Sequence, residues 1–171
     1  MYRIITLLGA QLAFASILSG VLIRHPELVT LGDINLQNVH NHIAKVTSIL
    51  PVLLLLMAWK QKEYRFAAFS GSLLLLAAVI LQVAAGVFLL KDGRFPIVKI
   101  GHLLLSTVIL GMFFWMFLRA RSGLRRLPRI LISPSIFARF GMLLVILQIA
   151  LGAWVNLDQA AMACSDPKSG L

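Results

Sequence analysis

Polar and apolar residues in this chain separate into long blocks instead of alternating. Five stretches, 4–23, 39–59, 66–90, 100–118 and 140–157, are apolar almost without interruption. Each matches the roughly 20 residues a helix needs to cross the hydrocarbon core of a bilayer. The pattern therefore predicts an all-α, polytopic membrane helical bundle of about five transmembrane helices. Connections between the blocks are short, so sequential helices are antiparallel neighbours. Pro51 falls inside the second block and is expected to kink it, because proline removes one backbone bond and crowds the preceding turn. The start of the chain has features of a signal peptide, with Arg3 ahead of an apolar run and Ala13-Phe14-Ala15 as a small-residue cleavage pattern. The run continues to Ile23, however, and is read as a span.

Composition agrees with a membrane chain: 60% of the 171 residues are hydrophobic and 13% charged, far from soluble averages. A formal charge of +10 would suit nucleic acid, but its distribution excludes that partner. The basic residues sit in short stretches between apolar blocks, where they encode topology and meet anionic headgroups of the lipid bilayer. Arg3, Lys60, Lys62, Arg65, Arg119, Arg121, Arg125, Arg126, Arg129 and Arg139 fall on one side; Arg24, Lys91, Arg94, Lys99 and Lys168 fall on the other. The richer side belongs inside a bacterial-type cytoplasmic membrane, with the N-terminus inside and the C-terminus outside. Residues 1–120 then form a four-helix bundle, 121–139 a basic cytoplasmic connector, and 140–171 a fifth helix with an exterior tail. The single cysteine, Cys164, excludes an internal disulfide and a thiolate metal cluster.

Candidate chemistry concentrates at two block edges. His40, His42 and Lys45 stand at the mouth of the second apolar run, and Lys99 and His102 open the fourth. Ionisable groups at such positions are costly and usually functional. Both runs enter from the exterior side, so His40 and His102 lie at matched depth on separate helices. Two imidazoles so placed can share one haem iron, and haem b is the expected cofactor. Zinc normally takes three or four protein ligands, and no acidic residue lies near. Residues two apart point to nearly opposite helix faces, so His42 is an alternative to His40 and not its companion. Small residues leave room for a macrocycle: Ala44 and Thr47 beside His40, Ser106 beside His102, and Gly20 and Gly86 on the neighbouring helices, both expected to line the same cavity. Lys99 and Arg24 either pair with haem propionates or are ordinary snorkelling residues. Residues 81–86 and 147–152 form a weak internal repeat in which Gln82 and Gly86, like Gln148 and Gly152, lie one turn apart. His25 is expected in a solvated exterior loop.

Several segments resemble haem A synthases. Ser19-Gly20-Val21-Leu22-Ile23-Arg24-His25 is similar to the end of that family's first helix, and Gln37-Asn38-Val39-His40 to its second-helix ligand motif. Leu81-Gln82 through Gly86, followed by His102, resembles its third and fourth helices. Residues 147–155 with Ala161-Met162-Ala163-Cys164-Ser165-Asp166-Pro167 resemble the start of a further half-repeat. The resemblance implies a membrane protein of two four-helix halves, each able to hold haem between histidines of its second and fourth helices. It also implies oxidation of a methyl of haem O to the formyl of haem A, with these haems as substrate or product, during cytochrome c oxidase assembly. Here the family's glutamate before the second-helix histidine is replaced by Gln37 and its following arginine by Asn41, and the cysteine pair of the exterior loop is absent from residues 24–38. One half plus a fifth helix is present, so a homodimer would restore the second half. No catalytic residue is assigned. The alternative expectation is a bis-histidine cytochrome b subunit that passes electrons within a respiratory membrane complex.

Overall fold

The structure, a computed structural model, describes residues 1–24, 35–61, 65–91 and 95–122, and single positions 143, 145, 147, 149 and 152. Four helices emerge: α1 (Tyr2–Arg24), α2 (Leu36–Ala58), α3 (Arg65–Lys91) and α4 (Pro96–Ser122). All four are long and apolar enough to cross a membrane. At 23 to 27 residues each, they exceed the minimum span by a turn or more. There is no strand among the described residues. The basic connector beyond residue 122 lies outside them, as does most of the expected fifth helix. Within that helix, Leu143, Val145, Leu147, Ile149 and Gly152 are helical.

All four helices begin ahead of their apolar blocks, α2 and α4 by the most. Asn35 caps α2 by accepting a hydrogen bond from the Asn38 amide at 3.0 Å, which brings the polar run from Leu36 into the helix. Asparagine is among the best residues at that position. Likewise α4 starts at Pro96, whose fixed φ suits the first helical residue and whose missing N–H would be unpaired there anyway. Helix ends follow such caps and not the edge of hydropathy. As a result His40 and His102 lie in the second turns of α2 and α4 instead of heading them. Helix α2 continues through Pro51, which is fully buried.

Each helix packs on two neighbours in a closed ring: α1 on α2 and α4, and α3 on α2 and α4. The diagonal pairs, α1 with α3 and α2 with α4, are not in backbone contact. Up-and-down order puts the start of α1 and α3 beside the end of α2 and α4. That end is tightly filled. Phe113, Leu54 and Leu75 are wholly buried, with Thr6, Pro51 and Ser72. Tyr2 reaches across the diagonal, its hydroxyl 3.3 Å from Ser72 Oγ and 3.5 Å from the Ala68 carbonyl. Arg3, Arg65 and Arg119 lie over the rings of Phe117, Trp59 and Trp115 at 5.6, 5.4 and 4.9 Å. These cation–π contacts cluster at the same end of the bundle and suit the membrane–water boundary. Leu56, Leu74 and Ile80, all more than 60% exposed, cover the outer faces, as expected where the solvent is lipid.

Gly9 sets how closely α1 approaches α4, since a Cβ there would run into the buried Phe113 ring. Gly9→Ala should therefore destabilise the detergent-solubilised protein by about 1–3 kcal/mol, the usual cost of overpacking. Gly111 has nothing within 4 Å of an added Cβ, so Gly111→Ala should be neutral or gain slightly from helix propensity. Equal thermal midpoints for the two variants would remove this account of the close packing.

Candidate functional site

The other end of the bundle is built differently. There the last turns of α1 and α3 face the first turns of α2 and α4, and the interior is polar. His40, half-buried on α2, packs on α1. Its Nδ1 lies 3.1 Å from the Ser16 carbonyl and 3.0 Å from Ser19 Oγ. A carbonyl only accepts, so Nδ1 carries the proton and Nε2 keeps its lone pair. Ser19 is itself buried and donates to the same Ser16 carbonyl at 3.0 Å. Its oxygen is thus the acceptor toward the ring.

His102 sits on α3 in the same way. An added Cβ at Gly86 would be 3.3 Å from His102 Cε1, and one at Gly20 would be 3.4 Å from His40 Cε1. Each imidazole thus rests on a glycine of the preceding helix. One turn before each glycine stands a polar residue, Ser16 or Gln82; one turn after each histidine stands a small one, Ala44 or Ser106. The hairpins α1–α2 and α3–α4 repeat one arrangement. The repeat legible in the sequence paired 81–86 with 147–152, and of the second segment only Leu147, Ile149 and Gly152 are described.

The polar contacts differ between the two hairpins. At His102 the Gln82 amide nitrogen lies 3.1 Å from the ring Nε2 and also bonds Ser106 Oγ. Ser106 in turn donates to the His102 carbonyl at 2.9 Å. Gln82 Oε1 is buried without a hydrogen-bond partner among the described residues. Between the hairpins, one turn deeper than the histidines, lies a cavity of about 60 Å³. All four helices contribute to it, notably Ser16, Thr47, Ser48, Gln82 and Ser106. Gly20 and Gly86 were expected to line this space; they lie against the imidazoles instead, because the rings fold back onto the neighbouring helix.

Other candidate residues fall nearby. His42 is exposed and bonds the Asn38 carbonyl of its own helix through Nδ1 at 2.7 Å. Lys45 is exposed as well, while Lys99 is half-buried one turn before His102. Arg24 is the last residue of α1, and His25 and Cys164 lie outside the described residues. Gln37 donates to Asn41 Oδ1 at 3.0 Å, joining two neutral side chains one turn apart. None of the four helices contains an aspartate or glutamate. No group of three or more metal-binding side chains occurs among the described residues. Ser16 and Ser19 were not foreseen as part of the site; the signals were a pair of serines three apart in an otherwise apolar run and the place of Ser19 at the head of the segment 19–25.

No curated protein and no solved structure is significantly similar to the chain. A family profile does match: that of the cytochrome oxidase assembly proteins (COX15-CtaA), over residues 36–170. The matched region holds α2, α3 and α4 with His40 and His102, and on that extent the chain belongs to the cytochrome oxidase assembly protein family, the haem A synthase family.

Proposed function

We propose that this chain binds haem b at the polar end of its bundle, where His40 and His102 would hold the iron, and serves haem A formation or cytochrome c oxidase assembly. The observation that carries this reading is the repeated seat: two imidazoles, on diagonal helices at one end of the bundle, each resting on a glycine. The donor set fits the group. His40 has the hydrogen bond a metal-bound imidazole needs at its far nitrogen, to a backbone carbonyl that fixes tautomer and ring orientation. The cavity between the hairpins is smaller than the ~300 Å³ or more of ordinary ligand pockets. Accommodating a macrocycle therefore requires α2 and α4 to separate, and no backbone contact between them opposes it. When bound, haem supplies one-electron redox chemistry at its iron. Lys99 and Arg24, at the same end, offer positive charge for its propionates. His42 is the weaker candidate for the α2 ligand, because its ring is exposed and bonded back to its own helix.

A second reading, a cytochrome b that passes electrons within a respiratory membrane complex, is favoured by the lack of any carboxylate in the four helices. Moving protons during oxygen insertion calls for a positioned acid or base, and the Gln37–Asn41 pair offers neither. In both readings the partner is a second copy of the chain or a subunit of the oxidase-assembly or respiratory complex.

The purified protein should show a reduced-minus-oxidised haem b spectrum. His40→Ala and His102→Ala should each abolish or shift its bands, while His42→Ala leaves them in place; unchanged bands in both single-ligand variants would refute the ligation. Supplying haem O with an electron donor and extracting the pigments separates the two functions, because a formyl product favours haem A formation and its absence the electron carrier. Sidedness can be read from Cys164. A membrane-impermeant maleimide should label it in intact cells, and protection until lysis would reverse the proposed orientation.

A further inference from the structure

The two histidine seats repeat in form but differ at the nitrogen that matters for a metal. His40 is hydrogen-bonded through Nδ1, and its Nε2 lone pair is left for coordination. At His102 the contact falls on Nε2, from Gln82 at 3.1 Å. Resting on the haem reading above, we infer that His102 is the exchangeable one of the two histidines that would hold the iron, and that Gln82 is the positioning residue that competes for its Nε2.

The polarity of the contact follows from its neighbours. Ser106 spends its only hydrogen on the His102 carbonyl, so its oxygen accepts from Gln82, which identifies the Gln82 atom at that junction as the amide nitrogen. The same nitrogen has a second hydrogen for His102 Nε2. One lone pair cannot serve an N–H and a metal together. Reversing the amide would not release the site, because Nε2 would then carry a proton to donate to Oε1. Either arrangement withholds Nε2 from iron until Gln82 moves.

Two features make this hold reversible. Gln82 Oε1 is buried without a partner among the described residues, so the amide is only half satisfied where it stands. The cavity beside it, of about 60 Å³ and walled partly by Thr47 and Ser48, gives the side chain space and hydroxyl partners when it swings away. Among the described residues no comparable competitor bonds His40 Nε2, and the bond from Nδ1 to the Ser16 carbonyl would strengthen coordination. The result is an asymmetric pair in which the α2 ligand stays and the α4 ligand comes and goes. With haem bound, Gln82 holding His102 would leave a place for a small neutral molecule such as carbon monoxide.

Carbon monoxide binding to the ferrous, haem-loaded full-length protein tests this. Wild type should bind carbon monoxide measurably, since His102 is partly held by Gln82. Gln82→Leu removes the competitor and should weaken carbon monoxide binding about five- to tenfold, the worth of one hydrogen bond. Gln82→Asn keeps the amide but is too short to reach, and should behave like Gln82→Leu; it also stands in if the leucine variant folds poorly. Equal affinity in wild type and both variants would overturn the role of Gln82 and leave the ligation intact. A spectrum unchanged in His102→Ala, or no haem in the purified wild type, would overturn the ligation and this inference with it.

Discussion

An imidazole placed among apolar helices must find its hydrogen bonds within the bundle, because lipid offers none. That requirement shapes this fold more than any other single interaction. A buried polar group without a partner costs about 1–3 kcal/mol, so the helix beside each histidine has to present an acceptor or donor close by. The chain meets the demand with the Ser16 carbonyl and the Ser19 hydroxyl for His40, and with the Gln82 amide, itself held by Ser106, for His102. Gly20 and Gly86 lie against the rings, and at 86 an added Cβ would crowd His102.

The bundle consequently has two ends of different character. At one, Tyr2, Phe113, Leu54 and Leu75 fill the interior, and three arginines lie over aromatic rings. At the other, small and hydroxylated side chains surround a cavity. Dense packing provides the stability on which a loosely filled site can be carried, a division common where function needs space.

Much of the architecture was legible in the chain because membrane spans announce themselves by length. The four helices and their antiparallel order follow from hydropathy blocks and short connections. Their starts did not, since Asn35 and Pro96 fix the first turns through local backbone chemistry that a hydropathy count does not weigh. His40 and His102 stood out as ionisable groups against an apolar background. Ser16 and Ser19 did not, because a serine in a span is as often a small packing residue as a hydrogen-bond partner. Which nitrogen of each ring is engaged depends on rotamers and on the neighbouring helix, and no one-dimensional pattern encodes it. The family resemblance, read from short motifs, agrees with the profile match over residues 36–170.

Tyr2 spans the diagonal that the backbones leave open, tying α1 to Ser72 and Ala68 of α3. Together with the Phe113 ring lodged against Gly9, it ties the two hairpins to each other at one extremity, whereas the hydrogen bonds at the other join only helices of the same hairpin. Any widening of the bundle is then a splay about that fixed point, with displacement growing along the helix axes toward the imidazoles. A modest tilt of each rod thus translates into several ångströms where a flat guest must slip between them, while the pivot itself scarcely stirs.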